Sequence, residues 1–226
     1  MKIYPIFLMM FLVLTISSAR AAEYELDPTH TAVTFKVRHL LSNVNGTFDK
    51  FDGRFSFTPD KPEEWKVDAK IQADSISTRN DQRDKHLKSA DFFDTEHYPE
   101  LTFKSTKVTD YKNGHAKLHG ILGIHGVEKE VVMDLEVLGV EKDPWGNELA
   151  GFSATTTINR KDYGLTWNQV AESGKFLVGE EVQITIDVEG KTVTLQAPEE
   201  VAAADPVEAV QEQEQEKESL TEQKLY

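Results

Sequence analysis

One short group of residues in this sequence has the composition needed for acid–base or nucleophilic chemistry. Asp84, His86 and Ser89 are close neighbours, and an acid, an imidazole and a hydroxyl are the parts of a catalytic triad. On a helix, His86 and Ser89 would share a face, whereas Asp84 would point elsewhere. We therefore expect helix capping and surface ion pairing here. An enzyme that uses Asp84 and His86 as acid and base stays open as the alternative hypothesis.

The histidines form a second group to test against known chemistry. His115 and His119 are four residues apart on an expected strand, and His125 follows after a turn. Three imidazoles can bind zinc, but four strand residues span about 13 Å, which is too far for one ion. The chain has no cysteine, so thiolate sites and disulfides are excluded. The sequence therefore predicts no metal site.

The segments around these groups alternate between apolar and polar residues, as half-buried strands do. Val33, Phe35 and Val37 share one face, and a second such set lies between Trp65 and Ala73. Turn signals occur at Asn113-Gly114, His125-Gly126 and Glu189-Gly190, with no β-α-β alternation. We predict an all-β domain of eight to ten antiparallel strands. The hairpin order, with glycines Gly46 and Gly53 expected at bends, favours a barrel over a sandwich.

One segment interrupts this strand pattern and is typical of a short helix. It runs from Arg83 to Lys88 without a helix-breaking residue, and Thr78 is a candidate N-cap. Its apolar stripe is narrow, with Leu87 as its main member, so the helix must pack on something larger. We predict that this helix lies at the barrel mouth and that Phe92 and Phe93, which follow it, face the interior.

Aromatic residues are concentrated in the first half of the domain. The phenylalanines are Phe35, Phe48, Phe51, Phe55, Phe57, Phe92, Phe93 and Phe103. They could simply pack the core, or they could line an elongated apolar pocket at a barrel mouth. Composition alone does not decide between these two interpretations.

The two ends of the chain differ from the strand-rich middle. Lys2, an apolar run from Ile3 to Ile16 and the small residues Ala19 and Ala21 predict a signal peptide of residues 1–21, cleaved to leave no stable membrane anchor. Residues 197–226 are strongly acidic and predict a disordered tail. The folded domain is then 22–196. A net charge of −14 argues against a nucleic-acid partner, because phosphate backbones repel acidic proteins.

Several sequence blocks resemble those of the YceI-like family of bacterial periplasmic proteins. They are Gly46-x-Phe48-x-x-Phe51-x-Gly53, Ser75-Ile76-x-Thr78, Arg83-Asp84-x-His86-Leu87-x-Ser89-x-Asp91-Phe92-Phe93-Asp94, Tyr98-Pro99-x-Leu101-x-Phe103, Gly120-Ile121-Leu122-x-Ile124-x-Gly126 and Arg160-x-Asp162-Tyr163-Gly164. The resemblance spans roughly Tyr24 to Val188. It agrees with the signal peptide, which independently indicates export to the periplasm.

The resemblance implies a lipocalin-like antiparallel eight-stranded barrel with a short helix near one end and without catalytic residues or a cofactor. Its tunnel would hold an apolar lipid, such as an isoprenoid quinone. From strand parity and this likeness we expect ligand contacts at Phe35, Phe48, Phe51, Ile71, Phe92, Phe93, Phe103 and Leu122, with a mouth helix formed by Arg83, Asp84, His86 and Leu87. Some family members form homodimers, and the sequence leaves that state open for this chain.

Overall fold

Eleven β-strand segments and one α-helix make up the described part of the chain, residues 21–193 of the computed structural model. The strands are β1 (Ala22–Leu26), β2 (Ala32–His39), β3 (Ser42–Phe48), β4 (Phe51–Phe57), β5 (Lys66–Gln72), β6 (Ile76–Ser77), β7 (Glu100–Lys112), β8 (His115–Ile124), β9 (Val127–Lys142), β10 (Glu148–Asn159) and β11 (Val178–Thr192), and the helix is α1 (Asp81–Lys88). The acidic tail and all but the last residue of the expected signal peptide lie outside the described residues.

The strands form a closed, eight-stranded antiparallel barrel with one short helix, as expected from the sequence. The count is eight because three long strands are each interrupted: β1 continues into β2, β3 into β4, and β5 into β6. Both β1 and β2 pair with β11, and β1 also pairs with β4, which closes the ring. Closure satisfies the backbone groups that an open sheet edge would leave unpaired.

Tight two-residue turns connect the central strands. Asn113 and Gly114, between β7 and β8, have φ angles of 51° and 79°, and His125 and Gly126, between β8 and β9, have 52° and 73°. Positive φ at both central residues gives the turn twist that suits a β-hairpin. These two predicted hairpins are confirmed. The turn predicted at Glu189-Gly190 is wrong, because β11 continues to Thr192 and is paired there on both sides.

The predicted bends at Gly46 and Gly53 are also wrong, and Gly46 has a different role. It lies opposite Phe35 in the β2–β3 pair, and a Cβ atom at position 46 would be 2.3 Å from the Phe35 ring. The missing side chain therefore leaves space for that ring. The bend lies instead at residues 49–50, between β3 and β4. This break allows both Phe48 and Phe51 to face inward although their positions differ in parity.

Helix α1 begins one residue after its cap, Asn80, whose side-chain oxygen accepts a hydrogen bond from the Arg83 backbone N–H at 2.9 Å. The expectation that Thr78 caps the helix is wrong, because the Thr78 hydroxyl is bound to the Asp84 carboxylate. None of the helices within residues 21–193 is long and apolar enough to cross a bilayer.

The two ends of the barrel carry different connecting segments. The mouth end carries the β2–β3 turn, α1 with residues 89–99 after it, and the loop of residues 160–177 between β10 and β11. The far end carries the β4–β5, β7–β8 and β9–β10 connections. This division determines which residues can admit a ligand.

Candidate functional site

The barrel encloses an apolar cavity of about 230 Å³. Its wall is formed by inward side chains from the strands and from the mouth end. All eight residues expected at a tunnel border this cavity: Phe35, Phe48, Phe51, Ile71, Phe92, Phe93, Phe103 and Leu122. Leu87 of α1 borders it as well. Six of these residues lie on strands, and Phe92 and Phe93 follow α1. The contact of all eight with a ligand stays a prediction.

An aromatic cluster fills the far end of the barrel. The Trp65 ring centre lies 4.8 Å from that of Phe57 and 5.0 Å from that of Tyr111. Phe152 packs edge-on against Phe57 at 4.9 Å. The Trp65 indole N–H donates to the Thr58 carbonyl at 2.7 Å, which gives its polar atom a partner. The aromatic rings therefore pack the interior at this end of the barrel.

Neither Trp65 nor Phe152 was among the eight expected residues, although both border the cavity. For Phe152 the signal was present in the sequence, because it shares an alternating face with Ala154 and Ile158, which also border the cavity. Trp65 has the same parity as Val67 and Ile71, which border the cavity, so the signal was present for it as well.

At the mouth end, the residues after α1 place two aromatic rings in the cavity wall. The backbone N–H of Phe92 donates to the Ser89 carbonyl and that of Phe93 to the Leu87 carbonyl, each at 3.0 Å. The Phe93 ring packs edge-on against Phe48, and the Phe92 ring lies 5.1 Å from that of Trp167. Trp167 lies in an irregular loop, which has no periodic pattern that could identify it.

The charged residues of the mouth helix hold local structure together. Arg83 donates from Nε to the Thr78 hydroxyl at 2.7 Å and from a terminal nitrogen to the Thr78 carbonyl at 2.8 Å. Asp84 accepts from the Thr78 backbone N–H at 2.9 Å. Arg83 and Asp84 therefore fix the residue that leads into the helix.

His86 has a different partner from Asp84. Its Nε2 lies 2.9 Å from a carboxylate oxygen of Asp91, and its ring packs edge-on against Phe92 and Trp167. The Ser89 hydroxyl donates to the His86 carbonyl at 2.7 Å. The structure thus brings together neither an Asp84–His86 pair nor a triad with Ser89.

One exposed group within residues 21–193 has the spacing of metal ligands. Oxygen or nitrogen atoms of Asp27, His30 and Glu189 lie within 4.8 Å of one another. Hydrogen bonds explain the arrangement, because Asp27 accepts from the Thr29 backbone and hydroxyl and lies 3.0 Å from His30 Nδ1. Hydrogen bonds from Thr29 and His30 lower the pKa of Asp27 to about 2.

Arg160 is a charged residue of the cavity lining that is buried, whereas Lys66, the other charged residue that borders the cavity, is exposed. It follows β10, borders the cavity and is 4 % exposed. Its Nε donates to the Gly179 carbonyl at 2.8 Å, and Nη1 donates to the Leu165 carbonyl. Burial lowers the pKa of its guanidinium. The residue therefore brings a buried positive charge to a largely apolar wall.

Known proteins with a related sequence or fold cover most of the described chain. A sequence model described as the YceI-like domain matches residues 24–190. A UPF0312 protein of Pseudomonas putida is 39 % identical over 180 residues, which is 78 % of this chain and 90 % of that protein. The crystal structure of a Campylobacter jejuni YCEI protein is 35 % identical, covers 69 % of this chain and 90 % of its own, and has a TM-score of 0.60.

A third similarity concerns the fold alone. The structure of a polyisoprenoid binding domain from Saccharophagus degradans covers 77 % of this chain and all of its own, with 16 % identity and a TM-score of 0.55. Its agreement at such low identity indicates a shared barrel architecture.

Proposed function

This chain belongs to the YceI-like family, and we propose that it binds an isoprenoid-type lipid, such as an isoprenoid quinone, inside its barrel. It would store or carry that lipid in the periplasm. The observation that supports this most directly is the apolar cavity inside the barrel, bordered by the eight residues expected from strand parity and family likeness. The polyisoprenoid binding domain of Saccharophagus degradans shares the architecture, which adds support for a prenyl ligand.

The chemistry of the wall fits a hydrocarbon chain. Burial of apolar surface contributes about 25 cal/mol per Å², so a prenyl tail gains affinity from area without any specific polar contact. Aromatic and branched side chains such as Phe35, Phe48 and Ile71 provide this surface.

The lipid would enter at the mouth end. The Trp65, Phe57 and Phe152 cluster fills the far end, whereas the mouth end is covered by α1 and by the loop of residues 160–177. These two segments are joined to the barrel by turns and side-chain contacts, which separate at lower cost than paired strands do.

A binding role is also favoured over catalysis. The alternative enzyme would use Asp84 and His86 as a pair, and each of them binds a different partner, Thr78 and Asp91 respectively. If that alternative held, His86→Gln would abolish turnover of a periplasmic substrate. We expect the variant to retain lipid binding.

The test is mass spectrometry of an organic extract of the protein purified from the periplasm of its host, beside an extract from a mock purification. We expect an isoprenoid lipid in stoichiometric amount in the protein extract alone. Folded protein that yields a clean extract and takes up no added prenyl lipid would contradict the proposal. Recovery of the protein only from the cytoplasm would contradict the proposed periplasmic location.

A further inference from the structure

Arg160 is the only charged residue classed as buried within residues 21–193. Two of its three nitrogens donate to backbone carbonyls at the mouth end, those of Gly179 in β11 and Leu165 in the loop of residues 160–177. The third, Nη2, is buried and has no hydrogen-bond partner among the described residues. Buried donors are nearly always paired in native structures, so an unpaired one on a residue that borders the cavity needs an explanation.

The charge of Arg160 is also left without a counter-ion. Glu180 is close enough to interact with it electrostatically, but the Glu180 carboxylate is engaged by Lys161 Nζ at 2.5 Å and by the Asn159 side chain. No carboxylate of residues 21–193 lies within ion-pair distance of the guanidinium. Burying an unpaired cation is unfavourable, and a partner that arrives later would relieve that cost.

We propose that Nη2 of Arg160 is the polar subsite of the cavity and donates a hydrogen bond to an oxygen atom of the ligand's head group. This inference rests on the proposed function and narrows its ligand class. The ligand is an amphiphile whose head accepts hydrogen bonds. A carboxylate is preferred over a neutral oxygen, and either is preferred over a plain hydrocarbon.

The preference follows from the chemistry of the guanidinium. Arginine has donors and no acceptor, so a head group that can only donate finds no partner there. An ionised oxygen forms a charge-assisted hydrogen bond, which is roughly twice as strong as a neutral one. A cationic head group would be repelled by the charge that is already buried.

The position of Arg160 also orients the ligand. Its neighbours in the wall, Ile158, Leu165 and Val178, belong to the mouth end, whereas the Trp65 and Phe152 rings occupy the far end. The head group would therefore lie beneath the loop of residues 160–177, with the tail extending toward the aromatic cluster.

The test compares three probes that share one prenyl tail: farnesoic acid, farnesol and farnesene. Each competes with a fluorescent apolar dye for lipid-stripped, full-length protein. A hydrogen bond to a charged group corresponds to about 10- to 100-fold in affinity, so we expect farnesoic acid to bind more tightly than farnesene by that factor. Farnesol should fall between them.

Arg160→Met removes the donor and keeps a long apolar stem. In this variant the affinities for farnesoic acid and farnesene should converge, with that for farnesene unchanged. Arg38→Met is the matched control, because Arg38 is an exposed arginine of the mouth end whose Nε also donates to a backbone carbonyl. The control should retain the full preference for the acid.

A second measurement uses the wild-type protein alone, since Arg160 also anchors a loop and its replacement can prevent folding. Farnesoic acid labelled with ¹³C at the carboxyl carbon should titrate at lower pH when bound than in neutral detergent micelles, because a nearby cation favours the ionised form. Titration at the same or higher pH, or equal affinity for acid and hydrocarbon, would overturn the inference and leave the proposed function standing. If none of the three probes binds, the proposed function itself fails.

Discussion

A larger side chain in the cavity wall tests whether the cavity is the lipid-binding site. Ala69 lies on β5, borders the cavity and pairs with Gly53 and Phe103 on the two neighbouring strands. A cavity of about 150 Å³ is enough to hold benzene, so the ring of an Ala69→Phe variant would occupy roughly two thirds of the space. The ring would then compete directly with a prenyl tail.

The expected loss of affinity is large. If the ring displaces one prenyl unit of five carbons, the lost burial is about 0.8 kcal/mol per carbon, or about 4 kcal/mol in total. That corresponds to roughly a thousand-fold weaker binding. Fold stability should change little, because the ring enters existing space, and any overpacking is limited to about 1–3 kcal/mol.

The assay is competition binding of farnesol to lipid-stripped protein, with urea unfolding of the same samples. Lys70→Phe is the matched control, since Lys70 is the next residue of β5, is exposed and points away from the cavity. We expect wild-type affinity in the control and a collapse of affinity in Ala69→Phe. An Ala69→Phe protein with normal unfolding and normal affinity would refute the assignment of the cavity as the lipid site.

Three further perturbations test the elements around the cavity. In Gly46→Val the new Cβ would lie 2.3 Å from the Phe35 ring, so the ring should move inward and weaken farnesol binding. The free energy of unfolding in urea should fall by about 1–3 kcal/mol. Asn80→Ala removes the cap of α1 and should lower the free energy of unfolding by about 1 kcal/mol, whereas Asn80→Asp should not. The pKa of Asp27 is lowered from 3.8 to about 2, so the ionised carboxylate stabilises the fold above pH 4, and this contribution is lost as the pH falls toward 2. In urea unfolding, Asp27→Asn should therefore be less stable than wild type at pH 7. The difference in free energy of unfolding between the two proteins should disappear as the pH falls toward 2.

The sequence was most informative where geometry left few choices. A closed barrel with an apolar interior forces every strand to alternate, so Val33, Phe35 and Val37 could be assigned to the inside from parity. The Asn113-Gly114 and His125-Gly126 turns were equally clear, because only a few residues adopt positive φ at two successive positions. Fold class and most of the cavity wall follow from these two rules.

Other features depend on contacts between distant parts of the chain. Arg160 has the same parity as Phe152 and Ile158, which would have placed it inside, yet the sequence analysis did not identify it as a residue of the cavity wall. Its burial is possible because the carbonyls of Leu165 and Gly179 accept hydrogen bonds from its guanidinium. A local sequence pattern does not identify such partners. The cap at Asn80 was missed for a similar reason, since Thr78 is occupied by Asp84.

Arg160 links the stability of the mouth-end loop to the presence of a ligand. Its bonds to Leu165 and Gly179 tie the end of β10 to the start of β11, while leaving Nη2 unpaired costs about 1–3 kcal/mol. A head-group oxygen would remove that cost, so ligand and loop should stabilise each other. At equal free concentration above both dissociation constants, farnesoic acid should raise the free energy of unfolding more than farnesene, by about 1.4 kcal/mol for each tenfold difference in affinity. Equal stabilisation by both probes would mean that the loop gains nothing from the head group and that Arg160 serves only to build the fold.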